Sequence, residues 1–230
     1  MDDLAFREDM KMVMVQNSLR GMKLYNRYDY LCELCQGKKV LHLGATAAPG
    51  TKDVIESGIF LHSILMDICQ EVVGMDINLE MINWLKETYD ISNIKYGNVE
   101  NYDDYPQEEF DLIIAGEILE HLSNPGKALD CLSAIAKPTT QLIITVPNAY
   151  SFKGFVRALA QHELIHGDHT LHHSPHTLKA LLARHGFSVD SCFGFVNGGT
   201  TALALVTNVF LRYYPQLAEG IGVICSPISI

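Results

Sequence analysis

Lys39-Val40-Leu41-His42-Leu43-Gly44 and, about thirty residues later, Val72-Val73-Gly74-Met75-Asp76 decide the fold of this chain. Each is a short apolar run of the kind that forms a buried strand. The first ends in a glycine and the second runs into an acid. In an open α/β sheet, the turn after the first parallel strand and an acid at the tip of the second are where a nucleoside is held. The glycine lets backbone approach the ligand, and the acid accepts hydrogen bonds from two ribose hydroxyls.

Working outward, strands and helices alternate from Lys39 onward. The apolar pattern predicts strands at 39–44, 71–76, 93–96, 110–115, 140–146, 187–193 and 202–210. It predicts helices at 54–69, 78–88, 124–136, 150–161 and 175–185. Leu112-Ile113-Ile114 and Leu142-Ile143-Ile144 are continuous apolar runs, as parallel strands covered on both faces require. Ser123-Asn124-Pro125 and Ser174-Pro175 supply capping side chains and a first-turn proline. His185-Gly186 stops the second of these helices. No helix is evident between the last two strands, so a closing hairpin is expected, with 202–210 antiparallel. Residues 1–36 read as two helices broken at Gly21. The expected fold class is therefore α/β: a Rossmann-like, seven-stranded, mostly parallel sheet with one antiparallel strand, helices on both faces and an N-terminal helical extension.

The 230 residues suit a single domain over 1–230, with 1–36 as a helical segment or lid, 37–211 as the core and 212–230 as a tail. The tail from Gly220 to Ile230 is small and apolar; it packs on the domain, serves a homodimer or stays disordered. Apolar residues make up 48% of the chain, a globular share. The net charge of -10 disfavours nucleic acid as a partner. The start, Met1-Asp2-Asp3, has no signal-peptide character, and no apolar run reaches the ~18 residues that span a bilayer. No membrane partner is expected. Cys32 and Cys35 form a lone C-x-x-C with no second pair, so the six cysteines read as reduced thiols of a cytoplasmic protein.

From about residue 38 to 210 the chain resembles the class I S-adenosylmethionine-dependent methyltransferases. The resemblance rests on KVLHLGATAAPG at 39–50, VVGMDI at 72–77, YGNVENY at 96–102, FDLIIAGEILEHLSNPGKAL at 110–129, LIITVPN at 142–148 and HSPHTLKALLARHGF at 173–187. Their order and spacing carry it, where one alone would be weak. The family usually has an acid where His42 stands, and more glycine where Thr46 and Ala48 stand. The resemblance implies S-adenosylmethionine as cofactor. Gly44, Ala45 and Thr46 would lie at its methionine part, Asp76 at the ribose, Ile77 on the adenine face, and Asn98 and Val99 at the adenine edge. Gly116 and Glu117 would face it from the fourth motif.

Two clusters carry candidate catalytic groups. Glu117, Glu120 and His121 share one face if that segment is a helical turn. They could ligate a divalent metal or supply a general base. The same Glu-x-x-Glu-His occurs in metal-using small-RNA 3′-end 2′-O-methyltransferases and ubiquinone-pathway O-methyltransferases, and in relatives with no known metal. The second cluster is histidine: seven of the ten lie between 162 and 185. One of them, His169 by choice, is expected to join Glu117, Glu120 and His121 beside the methyl group, as metal ligand or base. His176 and His185 fall on a predicted helix and read as structural. Arg20, Lys23, Arg27, Tyr25, Tyr28 and Tyr30 form either a lid over the cofactor or a helix packed on the sheet edge. The resulting expectation is methylation of a small-molecule or glycan acceptor, most simply at oxygen. An RNA 2′-O-methyltransferase with a divalent metal and a cofactor-binding partner without turnover are the alternatives.

Overall fold

A computed structural model describes residues 18–198 and 202–228. Eight strands form one sheet in the order β1-β7-β8-β6-β5-β2-β3-β4. They are β1 (Leu24–Asn26), β2 (Lys39–Leu43), β3 (Glu71–Asp76), β4 (Ile94–Tyr96), β5 (Leu112–Gly116), β6 (Gln141–Pro147), β7 (Phe187–Val196) and β8 (Gly220–Pro227). The helices are α1 (Arg27–Cys35), α2 (Thr51–Glu56), α3 (Leu61–Ile68), α4 (Leu79–Tyr89), α5 (Pro125–Ile135), α6 (Phe152–Leu159), α7 (Pro175–Arg184) and α8 (Ala202–Tyr213). Strand β8 alone runs antiparallel, to both β6 and β7.

Alternation along the strands sends successive side chains to opposite faces. Leu41, Leu43, Ile113, Leu142 and Ile144 pack with Leu129 and Leu132 of α5 and Leu178 and Leu182 of α7. Val40, Leu112, Ile114 and Ile143 pack with Leu31 and Cys35 of α1 and Leu61 and Leu65 of α3. His42 therefore belongs to the α1–α3 face, at the carboxyl end of β2.

Four expectations are corrected. Residues 202–210 are not the antiparallel strand but lie in α8. A short apolar run with Val and Phe cannot be told from a helix by periodicity alone. The antiparallel strand is β8, from the segment read as a tail, so that segment packs into the domain. Its glycines hid it: Gly222 lies opposite Phe193 and Gly220 opposite Phe195, and a Cβ at either would enter the facing phenylalanine ring. The 54–69 helix is two, α2 and α3, separated at Gly58, whose φ of +68° suits glycine. The segment before Lys39 holds strand β1 as well as α1; a three-residue strand leaves no periodic signal. Residues 1–17 of the expected N-terminal helices lie outside the described residues. Tyr25 and Tyr30 stack at 3.8 Å and meet the edge of Phe193, so they pack on the sheet and form no lid.

Candidate active site

A cavity of about 860 Å³ opens where the carboxyl ends of β2, β3, β4 and β5 meet the start of α1. Its first wall is the turn after β2. Gly44 has a φ of +67°, and a Cβ there would sit 3.0 Å from Ile118 Cδ1. The Gly44 N–H donates to the Met75 carbonyl at 2.9 Å, which ties the turn to β3. Thr46, fully buried, donates to Asp76 Oδ2 from its N–H at 2.9 Å and from its hydroxyl at 2.8 Å. Asn78 N–H donates to Asp76 Oδ1 at 2.9 Å, and Asn78 caps α4 by accepting from Met81 N–H. An ionised carboxylate offers about four acceptor sites. Three are filled by the chain, so Asp76 both holds two loops together and keeps room for a ligand hydroxyl.

Ile77 also lines the cavity and is 61% exposed, a large apolar side chain with little protein cover. Asn98 and Val99 continue the wall. The Asn98 Oδ1 accepts from Glu100 N–H at 2.9 Å, and the Asn98 N–H donates to Asp104 at 2.8 Å. The side-chain amide of Asn98 thus offers a ligand its NH₂ donor.

The opposite wall is the turn after β5, with Gly116, Glu117, Ile118 and His121. Arg27 of α1 closes it. A Cβ at Gly116 would lie 2.6 Å from an Arg27 terminal nitrogen. Arg27 Nε donates to the buried Thr145 hydroxyl at 3.2 Å. Glu117 adopts φ +56°, a conformation that costs a non-glycine residue about 1–3 kcal/mol and collects at functional sites. Burial raises its carboxyl pKa, while Arg27 and a hydrogen bond from Thr145 oppose the rise. One of its oxygens, Oε1, is buried without a partner in a residue that lines the cavity. Glu120 is fully buried with both oxygens unpartnered, and burial with the neighbouring Glu117 charge pushes its pKa to about 8.

Of the expected set of Glu117, Glu120, His121 and His169, Glu117 and His121 both line the cavity, and Glu120 and His169 are not among its lining residues. The segment Leu119–His121 is a 3₁₀ turn, not a turn of α-helix, so the three residues do not share a face. The Glu117 charge acts on Glu120, and Arg27 acts on both. His121 turns instead to His166 and His169, at ring-centre distances of 5.3 and 4.5 Å. Among the described residues these three imidazoles form a group whose ligand nitrogens all lie within 4.8 Å of one another. Thr170 sets this register: its N–H donates to the Glu120 carbonyl at 2.8 Å, bringing the histidine loop against the turn. Burial lowers the His121 pKa, His166 lowers it further, and Asp168 opposes them. His121 and His166 line the cavity, and His169 is not among its lining residues. His185 bonds Asp130 at 2.6 Å, away from the cavity.

Three contributors escaped the sequence reading. Arg27 was grouped with a lid and not with the site. His166 was one histidine among seven with nothing to single it out. His62 of α3 pairs with His42, Nδ1 to Nδ1 at 3.1 Å, a contact between residues twenty apart with no local signature.

Comparison with known proteins agrees with this architecture. A sequence model of the family described as a methyltransferase domain matches residues 48–191, more than half of the chain. A ubiquinone biosynthesis O-methyltransferase of Rhodopseudomonas palustris is 31% identical over 97 residues, 41% of this chain and 38% of that protein. The match thus spans well under half of that relative. A S-adenosylmethionine-dependent methyltransferase structure from Archaeoglobus fulgidus aligns with a TM-score of 0.51 at 19% identity, over 86% of this chain and 90% of that one. The N-methyltransferase NodS of Bradyrhizobium japonicum, solved with S-adenosyl-L-homocysteine, aligns with a TM-score of 0.52 at 14% identity, over 88% and 86%. At such identities the structures speak for the fold alone. With the family match covering Asp76, Asn98 and the Gly116–His121 turn of this cavity, the chain belongs to the methyltransferase-domain family.

Proposed function

We propose that this chain is an S-adenosylmethionine-dependent methyltransferase that methylates oxygen on a small-molecule acceptor, small glycans included. One observation carries the reading: a single cavity joins the Gly44 turn, Asp76 and Asn98 on one side to Glu117, His121 and His166 on the other. Its volume is in the range of small-ligand sites. Its unsatisfied groups suit the cofactor: an acid with one open acceptor site, an uncovered isoleucine, an amide donor and an orphaned carboxylate oxygen.

The cofactor, when bound, supplies a methyl carbon on a positively charged sulfur that the acceptor oxygen displaces in line. The chain's task is to position both partners and exclude water. Asp76 takes a ribose hydroxyl, Ile77 covers the adenine, and Asn98 donates to its edge. Arg27, the one Arg or Lys lining the cavity among the described residues, pairs with a carboxylate. Glu117 offers Oε1 to a positively charged neighbour. At the mouth, His121 is neutral near pH 7 and accepts the proton that the acceptor hydroxyl loses.

A second reading of the mouth rests on the three imidazoles. They are a donor set that suits Zn²⁺ or a similar ion better than Mg²⁺, which prefers oxygen. His121, His166 and His169 would hold the ion after small rotations, and the ion would polarise the acceptor oxygen. The two readings separate in one assay series. With His121 as base, the rate rises with pH through a pKa below 6.5, then stays level, and chelator has no effect. With a metal, chelator abolishes transfer and Zn²⁺ or Mn²⁺ restores it. If His121→Ala and His169→Ala both transfer at the wild-type rate, neither reading holds. Absence of S-adenosylhomocysteine binding would overturn the function itself.

A further inference from the structure

His42 replaces an acid expected at the end of β2, and its surroundings determine which of its nitrogens carries the proton. Four groups form a chain. The Val72 carbonyl can only accept, so the Asn93 side chain turns its NH₂ to it, at 2.8 Å. The Asn93 Oδ1 then faces His62 Nε2 at 3.2 Å and can only accept, so His62 carries its proton on Nε2. A neutral His62 with that proton has a bare Nδ1. His42 faces this Nδ1 at 3.1 Å with its own Nδ1 and must donate to it. His42 Nε2 is left unprotonated, a pure acceptor.

The pair stays neutral because it is buried. His62 is fully buried and His42 is 5% exposed. Burial holds the His62 pKa at about 4; burial, His62 and Arg27 hold His42 well below its usual value. The fold also makes room for the arrangement. His42 lies opposite Gly74 in the β2–β3 ladder, and a Cβ at Gly74 would sit 2.9 Å from His62 Cε1 and 2.8 Å from Ala45 Cβ. Only with glycine there can the α3 histidine reach across β3 to β2. His42 lines the cavity on the α1 side, close enough to Arg27 for the guanidinium charge to act on it.

We propose that His42 Nε2 is the acceptor for the α-ammonium of the cofactor's methionine end, and that His62 and Asn93 are positioning residues that hold His42 in this tautomer. The inference rests on the cofactor reading given above. The α-ammonium and the carboxylate share one carbon, so a carboxylate paired with Arg27 brings the ammonium to an acceptor beside Arg27. An imidazole with a fixed lone pair fills that place with no charge of its own. The opposite tautomer would present an N–H, which repels an ammonium and suits the carboxylate instead.

The test has two arms. In the ligand-free protein, imidazole ¹⁵N spectra at pH 7 should show His42 as the Nδ1–H tautomer and His62 as the Nε2–H tautomer, both neutral. Finding His42 with its proton on Nε2, or charged, overturns the proposal whatever binds. In the second arm, calorimetry compares S-adenosylhomocysteine with its analogue lacking the amino group. Wild type should prefer the parent by about tenfold or more, the scale of one hydrogen bond to a charged group. His42→Leu should weaken the parent and bring that ratio close to one. Asn93→Leu, which touches no ligand, should also shrink the ratio and mix the tautomers in the spectra. If His42→Leu weakens both ligands equally, the residue is packing only and the proposal fails. If wild type binds neither ligand, the cofactor reading fails while the tautomer result stands by itself. Should His42→Leu not fold, the wild-type spectra and the Asn93→Leu ratio still decide.

Discussion

Asp76→Asn changes one atom of the site and tests its double duty. The carboxylate accepts from Thr46 N–H and hydroxyl on Oδ2 and from Asn78 N–H on Oδ1. An asparagine has one acceptor oxygen, so its NH₂ must face a donor on one side. The cheapest choice keeps the Thr46 pair and opposes Asn78 N–H. An unmade bond at this half-buried donor costs up to about 1–3 kcal/mol. The two surviving bonds lose their charge assistance, together roughly another 1 kcal/mol. The sum is about 2–4 kcal/mol. For a chain of this size each kcal/mol moves Tm by about 2–4 °C, giving a drop of about 5–15 °C without ligand. Thr46→Val, which deletes one bond from the hydroxyl to the carboxylate, should cost about 1.5–3 kcal/mol. Thermal unfolding reads the first role. Calorimetric titration with S-adenosylhomocysteine reads the second, where a lost ribose contact weakens affinity about tenfold or more. Wild-type Tm in Asp76→Asn refutes the bracing argument. A lowered Tm with wild-type affinity refutes the ribose assignment alone.

Other predictions follow from the same geometry. Arg27→Met removes the guanidinium that lies over the Tyr28 and Phe195 rings and bonds Thr145; S-adenosylhomocysteine affinity should fall about tenfold or more, and unchanged affinity would count against the carboxylate partner. Gly74→Ala forces contacts of 2.8–2.9 Å on Ala45, Ile94 and His62, an overpacking that should cost about 1–3 kcal/mol in urea unfolding. Glu120 has a folded pKa near 8, above its unfolded value of about 4.3. The folded state therefore keeps a proton that the unfolded state has released. Stability drops as pH rises from about 4.3 to 8, and Glu120→Gln should flatten that slope; an equally steep slope in the variant would remove Glu120 as its source.

The cofactor wall was legible in the sequence because it is local. Gly44, Asp76 and Asn98 each stand at the end of a strand, where apolar runs mark the boundary. The catalytic side was only half legible. Glu-x-x-Glu-His is visible as a spacing, but the spacing assumes an α-helical turn, and the 3₁₀ turn sets His121 against His166 and His169. Arg27 and His62 reach the site from α1 and α3 through packing, which no spacing records. Strand β8 was missed for a similar reason: Gly220 and Gly222 make room for phenylalanines of another strand, and glycine in a sequence reads as loop.

The place of β8 also governs when this molecule can fold. Strands β7 and β1 touch the rest of the sheet only through β8. On the ribosome, β2 to β6 can assemble as each emerges, since their neighbours are already made. The Phe193 and Phe195 rings cannot settle until Gly220–Pro227 has left the exit tunnel. Until then the free edge of β6 stays open to pairing with any strand nearby. Arg27 follows β1 directly, so its seat beside Thr145 is fixed from the β1 side only once β8 joins β7 to β6. The cavity thus depends on a strand made later than every residue that lines it.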